Sequence, residues 1–385
     1  MRQLHRFCES RAPWALETLT ALVECESPST DKAAVDRCAA LAASVLREVG
    51  AAVEILPHPA AGNMVRASFA SPGPPAGPRR RRLLLGHLDT VWPVGQLATM
   101  PIRREGERLF GPGVLDMKAG VVIGILAALA ARDIGSPFEV CLLLTGDEEI
   151  GSGASRPVIE DEARRAEAVF VLEPSLPGGA VKTSRKGTGD FVLSVTGVEA
   201  HAGIEPEKGV SAVLELADQI RALDALQAPA LGTTVNVGVI SGGRRPNVVA
   251  GEASASIDVR VATAAEARRV AAAMAGLQAR RPGASLVVTG GFDRPPLERS
   301  PAVVSLFETA REVARELGFE LGEGGTGGAS DGNITAALGV PTLDGLGADG
   351  AGAHAAHEHI VASALPLRAA LVAGLLVDPG TLKID

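Results

Sequence analysis

Residues 138–153 read FEVCLLLTGDEEIGSG, an apolar run of strand length that ends in three consecutive acids and a glycine-bounded turn. Carboxylates prefer water, and neighbouring ones repel. Asp147, Glu148 and Glu149 at the mouth of a core strand therefore mark either a solvated turn or a place where strong positive charge sits in the folded chain. Two other apolar runs end in a similar way: RLLLGHLDT at 82–90 closes on His87 and Asp89, and AVFVLEPS at 168–175 closes on Glu173. Helical patterns precede them at 12–24 and 31–49, and the very apolar AGVVIGILAALAA at 119–131 lies between the first two. Strands alternating with helices predict an α/β fold built on a mixed, mostly parallel sheet covered on both faces. In such a sheet functional side chains gather beyond the carboxyl ends of the strands.

Between 183 and 292 the pattern changes. DFVLSVTG from Asp190 is a strand and GVSAVLELADQIRAL from Gly209 an amphipathic helix. TTVNVGVI from Thr233 and EASASIDVRV from Glu252 alternate with period two and are joined by the turn SGGRRPN. A helix around 263–279 and the strand SLVVTG from Ser285 complete a β-α-β-β-α-β order, that of a ferredoxin-like α+β module. Helix–strand alternation resumes afterwards, so residues 183–292 read as an insertion into one domain made of 1–182 and 293–385.

A chain of 385 residues has room for both domains. With 46% hydrophobic and 21% charged residues it has the composition of a globular protein, and a net charge of −8 argues against a nucleic-acid surface. The basic run Arg79–Arg82, at the end of SPGPPAGPRRRR, reads as a solvated loop entering a strand. The four cysteines show no metal-ligand spacing. The first residues carry charge without a continuous apolar core, and the 119–131 run is too short to span a bilayer. A cytoplasmic location without membrane attachment is the expectation.

The polar residues at the strand ends form one constellation: His87 and Asp89, Asp116 in GPGVLDMKAG, Glu148 and Glu149, Glu173, and the late group His354, His357, Glu358 and His359 in GAHAAHEHI. His87 and Asp89 lie two apart on a strand and share a face, so the Asp can orient the imidazole and raise its basicity. A buried histidine satisfied by its neighbour would look the same. The charge count favours metal. Two divalent ions bring four positive charges, which Asp116, Glu149, Glu173 and a shared hydroxide cancel, with His87 and His354 as neutral ligands. Four nitrogen and oxygen donors per ion suit zinc, and cobalt or manganese fit the same set. Glu149 is then a ligand, Glu148 beside it the general base, and Asp147 a solvated neighbour.

In order and approximate spacing, GHLDTVWP, GPGVLDMKAG, TGDEEIGS, EPS and the late GAH resemble the M20 metallopeptidases, over essentially the whole chain. That family includes glutamate carboxypeptidases, aminoacylases, acetylornithine deacetylases and succinyl-diaminopimelate desuccinylases. The resemblance implies a di-zinc peptidase domain interrupted by a lid that pairs two chains into a homodimer. It implies that His87 and Glu173 share one zinc, that Glu149 and His354 share the other, and that Asp116 bridges them before a cis peptide bond to Met117. It selects His354 from the three late histidines, because the family's ligand follows small residues and precedes a Glu by four positions. His357 and His359 fall where non-ligands usually stand.

Within the insert the resemblance assigns three more roles. TGVEAHAGIEPEKG matches the lid segment whose histidine, here His201, reaches the partner subunit's site and donates a hydrogen bond to the developing oxyanion. Asn247 in RRPNVVA and Arg260 in DVR match substrate-contacting positions, Arg260 as a clamp for a free α-carboxylate. A salt bridge within the lid is the alternative for Arg260. Arg294 in FDRPP resembles a position that helps hold an acidic substrate side chain. The glycine-rich GEGGTGGASDG at 322–332 is expected to line the substrate pocket with backbone N–H groups. The implied substrate is a peptidyl- or N-acyl-glutamate, or another N-acyl amino acid.

Two rivals come from other classes. GASDG at 328–332 matches G-x-S-x-G, with Asp344 and His354 following in α/β-hydrolase order, so Ser330 would be a nucleophile. That motif needs a strong strand before it, and the flexible LGEGGTGG precedes it instead. The serine mechanism also leaves Asp116, Glu148, Glu149 and Glu173 without a task. A non-catalytic peptide binder would be expected to lack a ligand or the base, and every one of them is here.

Overall fold

The computed structural model describes residues 1–70 and 80–377. The stretch 71–79, with Arg79 at the head of the basic run, lies outside the described residues. Arg80 is exposed, but Arg81 and Arg82 are packed rather than solvated: the Arg82 guanidinium lies 3.5 Å from the centroid of the Phe138 ring, and Arg81 pairs with Glu162 at 2.7 Å. Contacts divide the chain into two compact units, one made of Met1–Ser184, Arg299–Gly325 and the residues from Ser330 onward, the other of Arg185–Glu298 and Thr326–Ala329.

The first unit is built on a six-stranded sheet in the order Ala52–Leu56, Met64–Phe69, Glu139–Thr145, Arg81–His87, Ala168–Val171, Thr342–Leu343. The last four are mutually parallel. The first two form an antiparallel extension at one edge. These edge strands break the simple alternation of strand and helix, because a short connection at 57–63 turns the chain straight back on itself. Registry then decides where the site falls. His87 is level with Thr145 and Leu85 with Val171, so the residues that follow these strands emerge together from one edge.

Packing explains the apolar run after Asp116. In the helix Ala119–Asp133 every residue from Ala119 to Ala131 is buried, so no polar face is required. With the preceding turn, Val114–Asp133 is long and apolar enough to cross a membrane, but 94% of that window is buried inside the fold. This is a core helix. Its seat depends on Gly120, where an added Cβ would lie 1.9 Å from the Leu172 carbonyl oxygen. That close approach sets the helix directly against the chain leading into Glu173. The helices Ala12–Glu24, Lys32–Glu48 and Leu365–Leu375 contribute buried residues to the same core.

The second unit carries a four-stranded, wholly antiparallel sheet in the order Thr234–Gly242, Glu252–Val261, Gly187–Thr196, Ser285–Arg294. With the helices Ala212–Asp224 and Ala264–Ala275 this is a β-α-β-β-α-β chain order whose first and third strands are central. Its own core gathers Phe191, Leu193, Val195, Leu216, Ile257, Val259, Val270 and Met274. The unit closes later than sequence periodicity suggests. Arg294 still pairs with Thr188, and Leu297 bridges to Arg185, so the chain leaves this unit after Glu298.

Candidate metal centre and the loops that hold it

His87 ends its strand with a buried side chain, 1% exposed. Its Nδ1 lies 2.9 Å from the backbone carbonyl of Asp89, which favours the tautomer that leaves Nε2 free to accept on the side of Asp116 and Glu173. The Asp89 carboxylate stands 3.5 Å from the ring and does a second job. Fully buried, it accepts the Ser29 hydroxyl at 2.6 Å and the backbone N–H groups of Glu148 and Glu149 at 3.2 and 3.1 Å. Asp89 thus ties the His87 strand to the acidic loop. Sequence spacing assigned it the imidazole alone.

Around His87 Nε2 the carboxylates converge. Asp116 Oδ1 is 3.3 Å away and Glu173 Oε1 3.4 Å. The other oxygen of Asp116 lies 3.4 Å from His354 Nε2, and both oxygens of Glu149 lie 3.2 Å from that same nitrogen. Asp116 therefore stands between two histidines, one oxygen toward each. Ligand atoms of His87, Asp116 and Glu149 lie within 4.8 Å of one another, as do those of His87, Glu148 and Glu173. The cis bond Asp116–Met117 expected from the resemblance is present. His354 takes a left-handed backbone, with φ of 60°.

The electrostatics describe a site short of positive charge. Burial works against a charged His87 imidazole, but Asp116, Asp89 and Glu173 outweigh it and hold its pKa well above the ordinary histidine value. Asp116 and Glu149 raise His354 to about 10 despite its burial. Burial and the carboxylate of Asp116 push Glu149 up, while His354 opposes them. Asp116 itself is held low by His354 and His87 against the effect of burial. His87 Nε2 and Asp116 Oδ1 are also buried without an acceptable hydrogen bond to any group. Orphaned buried polar atoms are rare, and a nitrogen and a carboxylate oxygen left facing each other fit a divalent cation.

Glu358 is the residue whose importance the sequence conveyed least. Fully buried, its carboxylate accepts four hydrogen bonds: from Gly113 N at 2.9 Å, Leu115 N at 2.8 Å, Asp116 N at 3.0 Å and Trp92 Nε1 at 2.7 Å. Burial raises its pKa, and these donors oppose the rise. Its only signal was the spacing of four from His354. Nothing in that spacing points to Asp116, more than 240 residues earlier. Asp147 is not a solvated neighbour either: at 3% exposure its carboxylate accepts Ala154 N and Ser155 N at 2.7 and 3.2 Å. His357 and His359 are not part of the cluster among the described residues. His359 Nδ1 faces the His357 carbonyl at 2.9 Å, and its ring packs on Phe110.

In the second unit His201 is exposed, and its Nδ1 accepts Gly203 N at 3.2 Å. The Asn247 carbonyl accepts Ala202 N at 3.0 Å, which joins these two predicted segments side by side. Arg260 is engaged locally: its guanidinium makes three hydrogen bonds of 2.7–3.0 Å to Asp258, with the side chain 36% exposed. Arg294 is 4% exposed and level with Thr188, as is Arg260. Ser330 has no histidine beside it in the described contacts. It is fully buried, caps the helix Asp331–Ala337 and donates to Asp344 at 2.6 Å.

Histidines and carboxylates gathered at the carboxyl edge of a mostly parallel sheet define a candidate divalent-metal hydrolase centre. The model of "Peptidase family M20/M25/M40" matches residues 83–378. Carboxypeptidase G2 of Pseudomonas sp. (strain RS-16) is 32% identical over 311 residues, covering 78% of this chain and 74% of that relative. Acetylornithine deacetylase of Myxococcus xanthus is 31% identical over a shorter stretch, 44% of this chain and 46% of that relative. Among solved structures, aminopeptidase PepT from Bacillus cereus shares the fold with a TM-score of 0.81 at 21% identity, covering 95% of this chain and 98% of that one. The chain belongs to the M20/M25/M40 peptidase family and is a hydrolase of the metallopeptidase class.

Proposed function

We propose that this protein is a zinc-dependent amidohydrolase that cleaves an amide next to a free carboxylate, with peptidyl- or N-acyl-glutamate as substrate. The observation that carries the reading is the cluster in which Asp116 stands between His87 and His354 while Glu148 shares a neighbourhood with His87 and Glu173. His87 and Glu173 would hold one zinc, Glu149 and His354 the other, and Asp116 both. When bound, the two ions supply Lewis-acid polarisation and acidify water at neutral pH. Glu148 takes the proton from the attacking water and returns it to the leaving amine. Asp89 holds the backbone of Glu148 and Glu149 while this happens. His201 donates a hydrogen bond to the developing oxyanion in the partner subunit of a homodimer. Asn247 and Arg260 orient the substrate, and Arg294 holds an acidic side chain.

Dimerisation through the second unit, as a lid, is part of the proposal. Its edge strand Thr234–Gly242 exposes Val239 and Ile240 by 65% and 64%, which supports a surface with something to cover. A cytoplasmic location is part of it too. Likeness to carboxypeptidase G2 over three quarters of both chains supports cleavage next to a free carboxylate, and the glutamate preference is read from Arg294. N-acyl-amino-acid deacylation is the second reading, favoured by the partial likeness to acetylornithine deacetylase. A paired panel separates them: N-acyl- and peptidyl-glutamate against N-acetyl-ornithine, succinyl-diaminopimelate and neutral N-acyl amino acids. Preference for the glutamate compounds is expected. Preference for basic or neutral acyl amino acids transfers the protein to the deacylases.

A further inference from the structure

The motif that imitated a serine nucleophile contains a second residue, Asp331, whose surroundings point elsewhere. Asp331 is 3% exposed and opens the helix Asp331–Ala337. One of its oxygens accepts the hydroxyl of Ser152, and the other accepts the hydroxyl of Thr145 at 3.1 Å. Both hydroxyl residues are fully buried. Thr145 is the last residue of its strand, and Ser152 follows the turn containing Glu148 and Glu149. The two anchors are therefore the two ends of the segment 146–151 that presents the proposed base and a proposed ligand.

We propose that Asp331 is a positioning residue that closes this loop like a staple. Asp89 grips the middle of the loop through the Glu148 and Glu149 N–H groups, and Asp331 grips both ends. The strand pairing of Thr145 and the Asp147 carboxylate on Ala154 N and Ser155 N already restrain the loop, and what they leave is freedom to rock about its middle. Fixing the ends removes this freedom and holds Glu148 at one distance from its proton partners. Ser152 also adopts a left-handed backbone, with φ of 56°, a conformation that a non-glycine residue keeps only when its surroundings impose it. The Asp331 bond to its hydroxyl is such an imposition. A charged acceptor makes a hydrogen bond roughly twice as strong as a neutral one, so Asp331→Asn weakens both anchors while preserving shape. A misplacement of about 1 Å at a reacting group costs on the order of 10²-fold in rate.

The kinetic half of this inference rests on the amidohydrolase reading, whereas the loop-closing half does not. Hydrogen–deuterium exchange of purified Asp331→Asn, with zinc and after chelation, tests the latter without turnover. Amides in 146–152 are expected to exchange about tenfold faster, with the helix Pro301–Leu317 and strand Arg81–His87 unchanged. With N-acyl-glutamate as substrate, kcat is expected to fall about 10²-fold, with KM and bound zinc near wild type. Unchanged exchange at 146–152 overturns the staple. So does a uniform rise across all segments with kcat per folded molecule preserved, which marks a purely structural residue. If Asp331→Asn does not fold, Thr145→Val removes one anchor alone, and the same shift in smaller amount is expected; wild-type exchange in that variant overturns the proposal. A wild-type protein inactive on the whole panel removes the substrate reading, and exchange alone then decides the staple.

Discussion

Most predicted site residues of the two units sit in opposite surroundings; His354, with its side chain 50% exposed, and Arg294, at 4% exposure, are the exceptions. In the first unit His87, Asp116, Glu149 and Glu173 are largely buried, and the loops that carry them are gripped by further carboxylates, Asp89, Glu358 and Asp331. In the second, His201 and Asn247 are exposed, and Arg260 is occupied by Asp258, a neighbour two residues away on its own strand. The first arrangement is preorganised for chemistry whose geometry must not vary. Apart from buried Arg294, the second is a set of more exposed groups, which suits the substrate contacts proposed for them.

That contrast can be broken by mutation. Glu148→Ala has the largest expected effect, a loss of turnover of about 10⁴-fold, the upper end for a general base, with wild-type metal content measured by elemental analysis. Retained activity would remove Glu148 from the mechanism. His201→Ala follows, with kcat lowered roughly 10²–10³-fold as for one lost oxyanion donor. Mixing inactive His201→Ala and Glu148→Ala chains should restore some activity, and verified mixed dimers without rescue would refute the crossed site. Next comes Glu358→Gln. A carboxamide cannot accept four hydrogen bonds as the carboxylate does, so the Asp116 loop loosens and metal affinity, read by competition with a chromogenic chelator, drops about 10–100-fold. Ser330→Ala should matter least: kcat within about threefold of wild type, and a lost helix cap worth on the order of 1 kcal/mol in thermal unfolding. Complete inactivation there would revive the serine mechanism.

How much of this was legible beforehand follows from the reach of each interaction. His87, Glu149 and Glu173 could be read because each stands directly after an apolar run, and a mostly parallel sheet brings such ends to one edge. The ferredoxin-like insert was legible from its period-two strands. Glu358, Asp331 and the loop-tying role of Asp89 were not, because their partners lie roughly 60 to 266 residues away and a buried acid looks like any other acid in a sequence. The Asp258–Arg260 pair was within reach of reasoning, since residues two apart on a strand share a face. The edge strand Ala52–Leu56 has no fully buried residue to advertise it in the sequence.

In the proposed mechanism the His87–Asp116–His354 cluster holds two catalytic zinc ions. The most direct measurement is a titration of zinc into chelator-treated protein, following bound metal per chain and hydrolysis of an N-acyl-glutamate together. A two-metal centre gives no activity without metal, saturation at about two ions per chain, and activity restored as the sites fill. Full activity in protein verified to be metal-free would contradict it.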